Sequence, residues 1–350
     1  MTGQMQAAVL YGKEELRVEE VPVPKIGLGD ILVKVQTALT CGTDLKVFRS
    51  GRHARMIQPP ALFGHELAGD VVSVGANVTK FKVGQRIVAA NSAPCGECYF
   101  CKRDRENLCE DLLFNNGAYA QYIDIPERIV ENNCYEIPAH VDYRHAAMAE
   151  PLACVLHGLE DSGVKPGYTV VVIGLGPIGL MFVKLAVLAG ARVIAVGRRQ
   201  QQLDRAARMG ASELIISRPG SEPVEAVRAA TEDGRGADVV VEAVGSPHAW
   251  DGAVKMVRCG GTVNFFGGCP KDTSVCLDTS LLHYSELTLK ASFHHTPRLV
   301  KRALEIVSQG AINAADFVID EAPLGDLLKV FRHMMAHNGH LKTAILPNGV

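Results

Sequence analysis

The run Gly174-Leu175-Gly176-Pro177-Ile178-Gly179 constrains the fold more than any other stretch of this chain. An apolar strand candidate, Thr169–Ile173, precedes it, and a helical pattern near Ile178–Ala189 follows. Alone, G-x-G-x-x-G is a weak signal that glycine turns match by chance; between a strand and a helix of a βαβ unit it is specific. The first glycine permits a tight turn, the second lets backbone approach a pyrophosphate, and the third lets helix and strand pack closely. The helix start then offers unpaired N–H groups and the positive end of its dipole to phosphates. A tight turn with no ligand is the bland alternative. Gly174, Gly176, Pro177, Ile178 and Gly179 are therefore the expected dinucleotide-binding residues. The rhythm continues through strand Arg192–Val196, a helix near Gln200–Met209, and strands Leu214–Ser217, Ala237–Ala243, Gly261–Phe266 and Thr288–Ser292. Strands alternating with helices predict an α/β, doubly wound parallel sheet.

The second strand of such a sheet ordinarily ends in an acid that holds a ribose 2′-hydroxyl. Here it ends Ala195-Val196-Gly197-Arg198-Arg199. The acid is missing, and two guanidinium groups stand where a planar fork could grip a phosphate. Arg198 and Arg199 thus point to a 2′-phosphate and to NADP(H) over NAD(H); a solvated basic start to the next helix is the alternative.

Before about residue 150 the pattern is different. Short strand candidates, Gln6–Leu10, Ile31–Thr37, Ala68–Val74 and Arg86–Ala90, are separated by Gly- and Pro-rich turns. Cys95, Cys98, Cys101 and Cys109 form C-x2-C-x2-C-x7-C. Four thiolates this close suit tetrahedral zinc in a closed structural cage. An iron–sulfur cluster is the rival, but its bacterial motif ends C-x3-C-P, whereas Glu110 follows Cys109 here. A closed cage has no open position, so the chemistry lies elsewhere.

With 350 residues the chain has room for two ordinary domains. A net charge of −2 gives no footprint for nucleic acid or an anionic membrane surface. Met1-Thr2-Gly3-Gln4-Met5-Gln6 has neither a charged start nor an apolar run, so no secretory leader is expected. The remaining six cysteines are scattered, which fits a reducing, cytoplasmic setting. Val170 to Ala191 approaches the length of a membrane span, but its glycines, Pro177 and Lys184 read as strand, turn and core helix. The last third carries helix candidates Pro297–Gln309 and Leu324–Ala336 and a strand near Lys342–Leu346.

Three more blocks bear chemistry: Cys41-Gly42-Thr43-Asp44, Gly64-His65-Glu66 and Glu150-Pro151. Each is weak singly, because a lone cysteine usually packs a core and Pro favours a helix start. In this order, together with the four cysteines and the glycine run, they resemble the zinc-dependent alcohol and polyol dehydrogenases of the medium-chain dehydrogenase/reductase family. The similarity runs from Met5-Gln6-Ala7-Ala8 to Lys342-Thr343-Ala344, and the sorbitol and threonine dehydrogenase branch is nearest.

That resemblance implies a GroES-like catalytic domain, residues 1–152 and 294–350, around a Rossmann domain, residues 153–293. It implies two zinc ions per chain. One is catalytic, on Cys41 and His65 with Glu66 as third or exchanging ligand and Glu150 reaching the metal directly or through water. The other is structural, on the four cysteines in a lobe spanning about 94–113. Zinc would polarise a hydroxyl or carbonyl oxygen while hydride passes between its carbon and the nicotinamide. Thr43 would take the hydroxyl proton. Many relatives place a histidine three residues later as the relay's exit; Lys46 stands there, so water is the alternative. Some polyol dehydrogenases carry Arg-Tyr where this chain has His294-His295 after Phe293, so the substrate wall differs and sorbitol is not assumed. His294 and His295 read equally as surface residues. Phe114 is placed near the pocket mouth, with His294 as a further pocket residue. The implied activity is on a secondary alcohol or polyol and its ketone, in a homodimer or homotetramer, with no nucleic-acid or membrane partner. An aldehyde reductase of the same fold and a non-catalytic NADPH-binding redox sensor are the alternatives; a sensor would be expected to lose ligands that this chain keeps.

Overall fold

The structure is a computed structural model that describes residues 3–53, 55–218, 223–336 and 340–349. The chain divides into two compact units, Met1–Ala153 with His295–Val350, and Cys154–His294.

The first unit is built on a seven-stranded sheet. Its central strand, Ile31–Leu39, is buried except at half-buried Lys34 and Gln36, and pairs antiparallel with Glu66–Val74 on one side and Lys342–Leu346 on the other. The final strand of the chain therefore lies beside the strand that leads into Cys41. Ladder bonds fix this: Thr40 N–H donates to Thr343 O at 3.0 Å, and Thr343 N–H to Thr40 Oγ1 at 2.8 Å. In the same register Leu39 faces Glu66. Three segments far apart in sequence thus meet at one strand end. Behind them Phe331 is fully buried, its ring 5.5 Å from that of Phe48, 5.8 Å from Phe63 and 6.1 Å from Tyr119. Tilted and edge-on rings at these distances add about 0.5–1.5 kcal/mol per pair beyond the area they bury.

The second unit is a six-stranded parallel sheet. Its spatial order is Glu213–Ile216, Arg192–Gly197, Thr169–Ile173, Ala237–Glu242, Val257–Phe265, Thr288–Lys290. That is the 3-2-1-4-5-6 order of a Rossmann sheet, with its switch point beside the glycine run. Thr169–Ile173, Val170 to Val172 being wholly buried, reads as continuous apolar sequence because helices cover both faces.

Most expected elements occur with shifts of a residue or two at their ends. The strand expected at Gly261–Phe266 begins earlier, at Val257, and Thr288–Ser292 shortens to Thr288–Lys290. The helix expected over Leu324–Ala336 is corrected: Leu324–Asp326 is a tighter 3-10 turn, and the α-helix starts at Leu327. Gly325, a poor helix former, lies in that turn. Among the described residues no helix is long and apolar enough to cross a membrane.

Asp124, on the short strand Tyr122–Ile125, has a buried Oδ1 with no hydrogen-bond partner. Burial, helped by the nearby Asp30 carboxylate, pushes its carboxyl up to about 7. A raised carboxyl favours the folded state at low pH, and that contribution is lost as pH climbs from the ordinary carboxylate range through 7. Asp124→Asn should therefore raise the apparent Tm at pH 8 by about 2–4 °C, equivalent to roughly 1 kcal/mol after allowing for solvent screening of a partly exposed group. The gain should fade towards pH 5. Thermal scans at both values test this, and a gain that does not depend on pH would refute it.

Candidate active site

Cys41 ends the turn after the central strand and caps the helix Gly42–Ser50, its Sγ accepting from Thr43 N–H at 3.4 Å. Thr43 sits half-buried in the first turn of that helix, and Asp44 beside it is buried.

Gly64 precedes His65 with φ +91°, and a Cβ there would lie 2.5 Å from the Tyr119 ring, so only glycine allows the strand to begin here. His65 is 4% exposed, and its Nδ1 lies 2.8 Å from Asp44 Oδ1. That contact occupies Nδ1 and leaves Nε2 as the donor for a metal. Tyr119 OH in turn donates to Asp44 Oδ2 at 2.7 Å and to Leu39 O at 3.1 Å. Asp44 appeared in sequence only as part of a block; its grip on His65 is a contact between residues 21 apart.

Glu66 is wholly buried. Its partner is one the sequence did not single out: Lys342, whose Nζ donates to Glu66 Oε1 at 2.7 Å, Oε2 at 2.6 Å and Thr40 O at 3.0 Å. Glu150 lies in the first turn of helix Ala149–Asp161, 5% exposed, with Oε1 3.5 Å from His295 Nε2. His295 is 2% exposed and also meets Asn91 Oδ1 at 3.2 Å, which corrects its reading as a surface residue. The local pattern after Phe293 gave no sign of that burial.

Ligand atoms of Cys41, His65 and Glu66 all lie within 4.8 Å of one another. Burial works against a charged His65, but the Asp44 carboxylate and Cys41 outweigh it and hold the imidazole well above its ordinary value. Burial, opposed by Lys342 and reinforced by the Glu150 carboxylate, pushes Glu66 up to about 7. Burial also works against charge on Lys342, but Glu66 and Cys41 hold its ammonium above the usual range. Negative neighbours thus hold His65 and Lys342 protonated, burial does so for Glu66, and Glu150 moves the other way, held below the usual carboxylate range against its burial by His295 and His65. A thiolate, an imidazole and carboxylates in such a site fit zinc.

The four cysteines of the lobe also converge. Sγ–Sγ distances are 3.5 Å for Cys98–Cys101 and Cys95–Cys109, and 3.9 Å for Cys95–Cys101 and Cys98–Cys109. Tetrahedral zinc with Zn–S of about 2.3 Å sets sulfurs about 3.8 Å apart, so the cage fits the ion. Backbone N–H groups of Cys101 and Glu110 lower the Cys98 thiol to about 6, while burial pushes Cys101 up to about 12.

In the second unit Gly174 has φ +92° and Gly176 caps helix Pro177–Leu188 without a side-chain bond. A Cβ on Gly179 would stand 1.7 Å from Gly174 O, so the helix meets the turn in direct contact. A Cβ on Gly176 would meet nothing within 4 Å, which leaves open space at the N–H end of the helix. Half-buried Pro177 and Ile178 begin the helix beside it. Glu242, which the sequence reading passed over, is wholly buried and shapes the neighbouring turn by accepting from Val244 N–H at 2.7 Å and Gly245 N–H at 2.9 Å.

Gly197 closes its strand, and Arg198, exposed, and Arg199, half-buried, follow. Ser217 N–H donates to Gly197 O at 2.8 Å, so exposed Arg218, also missed from sequence, begins next to the same strand end. Phe114 is half-buried on Leu113–Phe114, which pairs with Ser92–Ala93 next to Asn91. His294 is half-buried with φ +64°, its carbonyl accepting from the His157 ring at 2.8 Å.

A Rossmann sheet with an uncapped glycine turn, and a separate unit bringing together a half-buried cysteine, a buried imidazole, a buried carboxylate and a cysteine cage, define a metal-dependent, nucleotide-using oxidoreductase. Residues 27–139 match the alcohol dehydrogenase GroES-like domain family, and residues 177–309 the zinc-binding dehydrogenase family. The chain is 32% identical to a sorbitol dehydrogenase of Bacillus subtilis (strain 168), across 98% of each chain. It is 34% identical to an L-threonine 3-dehydrogenase of Bacillus licheniformis, across 95% of this chain and 96% of that one. A structure from Sinorhizobium meliloti 1021, assigned as a zinc-binding dehydrogenase and bound to NADP, superposes with a TM-score of 0.90 at 32% identity, covering 99% of this chain and 100% of that one. The chain belongs to the zinc-dependent alcohol and polyol dehydrogenases of the medium-chain family, oxidoreductases that act on CH–OH groups.

Proposed function

We propose that this chain interconverts a secondary alcohol or polyol and its ketone with NADP(H), using two zinc ions. The observation that carries the reading is the convergence of Cys41, His65 and Glu66 in a buried site rich in negative donors. When bound, zinc supplies Lewis acidity at the substrate oxygen and the nicotinamide gives or takes hydride. Cys41 and His65 would hold the metal, with Glu66 and Glu150 as further carboxylate ligands, and Asp44 fixes the His65 ring. In oxidation the carbon gives up hydride and the hydroxyl gives up a proton, which Thr43 accepts and passes on. Lys46 is exposed on the Thr43 helix, so solvent takes the proton from the relay. The four-cysteine cage stabilises its lobe.

Residues 1–152 with 294–350 form the catalytic domain in this reading, and 153–293 the nucleotide domain. Phe114 and His294 are assigned to the substrate wall. The names of the relatives, sorbitol and threonine dehydrogenases among them, favour polyols and secondary alcohols. A homodimer or homotetramer in the cytoplasm is the setting proposed. A substrate panel of polyols, simple alcohols, ketones and aldehydes, run with both cofactors, tests the activity; turnover of aldehydes alone would overturn it.

The cofactor preference rests on Gly197, where no carboxylate repels a 2′-phosphate, and on the bound NADP of the Sinorhizobium relative. Charge-assisted hydrogen bonds from Arg198 or Arg199 contribute roughly 1.5–3 kcal/mol each, less at an exposed rim. At least about a tenfold preference in kcat/KM, about 1.4 kcal/mol, should remain for NADP(H). It should shrink as salt rises. Arg198→Ala should weaken NADP far more than NAD. Equal wild-type efficiencies, or equal losses for both cofactors in the variant, would show that the arginines face only solvent.

A further inference from the structure

We infer that His157 is a positioning residue for the substrate wall: its ring clamps the His294 carbonyl and so sets the direction in which the His294 side chain points. This rests on the reading of His294 as a wall residue. The clamp lies wholly within the unit Cys154–His294. His157 Nδ1 lies 2.8 Å from the carbonyl oxygen of His294. A carbonyl only accepts, so Nδ1 carries the proton. Four residues on, at the end of helix Ala149–Asp161, Asp161 stands on the same helix face. Its Oδ1 meets Lys290 Nζ at 2.9 Å, and its Oδ2 accepts from Ser292 Oγ at 2.8 Å and lies 3.4 Å from His157 Nε2. Lys290, Ser292 and His294 are alternate residues of the segment that leaves strand Thr288–Lys290. One helix face thus holds one edge of that segment at three successive points. Asn264, wholly buried, fastens the middle point, its Nδ2 donating to Ser292 Oγ at 3.0 Å and to Gly158 O and Ser162 Oγ at 2.9 Å.

In an extended segment neighbouring side chains point to opposite faces. Buried Ser292 and exposed Phe293 obey that alternation. His294 breaks it. Its φ is +64°, in the left-handed region, which costs free energy for a residue with a Cβ and persists only where neighbours hold it. The His294 ring therefore lies against that of Phe293, with centroids 5.5 Å apart and planes at 30°. An apolar ring and a polar ring share one face instead of two. The His157 N–H fixes the carbonyl that this turn brings round, and with it the backbone angles of His294. A polyol carries hydroxyls beyond its reacting carbon. An imidazole already held at one angle meets such a hydroxyl without further ordering, whereas a loose one bears that cost on binding. His157 thus acts through His294.

The test uses the zinc-loaded full chain and reads selectivity: kcat/KM for the polyol turned over best, divided by kcat/KM for 2-butanol. An asparagine amide places its N–H near the position of imidazole Nδ1, and a glutamine amide near that of Nε2. His157→Asn should therefore keep the clamp and stay near wild type. His157→Gln loses it and should lower the ratio on the order of tenfold, through KM for the polyol and not through kcat for 2-butanol. His294→Ala should lower the ratio equally, and His157→Gln/His294→Ala no further, because the first residue acts through the second. A crystal structure of His157→Gln should show residue 294 outside the left-handed region and its ring off Phe293; His157→Leu serves for both measurements if the glutamine variant does not fold. Wild-type selectivity in the variant that loses the clamp, additive losses in the double variant, or rings still stacked would overturn the inference alone. Unchanged selectivity in His294→Ala would overturn the wall reading itself, and the inference with it.

Discussion

Cys41→Ala should leave a folded protein that binds nucleotide and has lost turnover by at least roughly 10³-fold, the equivalent of about 4 kcal/mol of transition-state stabilisation. Cys41 is half-buried at the cap of a helix and stands outside the cluster of buried apolar residues around Phe63, Tyr119 and Phe331. Removing its sulfur therefore empties no core. It deletes one weak cap contact to Thr43 N–H and, in the proposed site, one ligand of the catalytic metal. The Asp44–His65 pair remains, and the proposed site would lose the Lewis acid that polarises the substrate oxygen. Circular dichroism, cofactor binding by fluorescence, zinc content and steady-state rates together separate this outcome from unfolding. A variant with near wild-type turnover and full zinc content would end the assignment.

Cys98→Ser should act in the opposite sense, lowering stability far more than the chemistry of the enzyme that remains folded. The lobe between Cys95 and Cys109 has little regular structure: two short 3-10 turns, Cys101–Arg103 and Glu106–Leu108. Its order depends on the four sulfurs and the ion they fit, and metal binding in such a loop is coupled to folding. Loss of several kcal/mol there lowers the apparent Tm by about 5 °C, at roughly 1–2 °C per kcal/mol for 350 residues. Native mass spectrometry should show two zinc ions in the wild type and one in the variant. Free alkylation of all four cysteines in the folded wild type, or an unchanged Tm, would reject the cage.

What could be read before any coordinates were available follows the distance over which each interaction acts. The glycine run, the cysteine cage and the strands of the parallel sheet all declare themselves within a few residues, because their physics is local: a turn, a tetrahedron, an apolar strand. Cys41, His65, Glu66 and Glu150 were legible only as an ordered set of blocks. Their partners were harder. Lys342 meets Glu66 across 276 residues of chain, Tyr119 meets Asp44 across 75, and His295 meets Asn91 across 204. No local pattern can announce a contact that a sheet register creates. The sequence leaves His295, two residues after Phe293, open between surface and site for the same reason, and the fold buries it. Glu242 is a different case, since its partners lie two and three residues away. A single acid at a strand end simply resembles any other turn residue.

Because the strand carrying Lys342 is the last one of its sheet to be synthesised, the site has a history as well as a geometry. A ribosome adds about 5–20 residues per second. Glu66 therefore exists for between roughly 14 and 55 seconds before the lysine 276 residues later has been made. During that interval its carboxylate has no ammonium to share its charge with, and the edge of Ile31–Leu39 that Lys342–Leu346 will cover is unpaired. The order of translation thus places the Glu66–Lys342 contact among the last of its sheet to form.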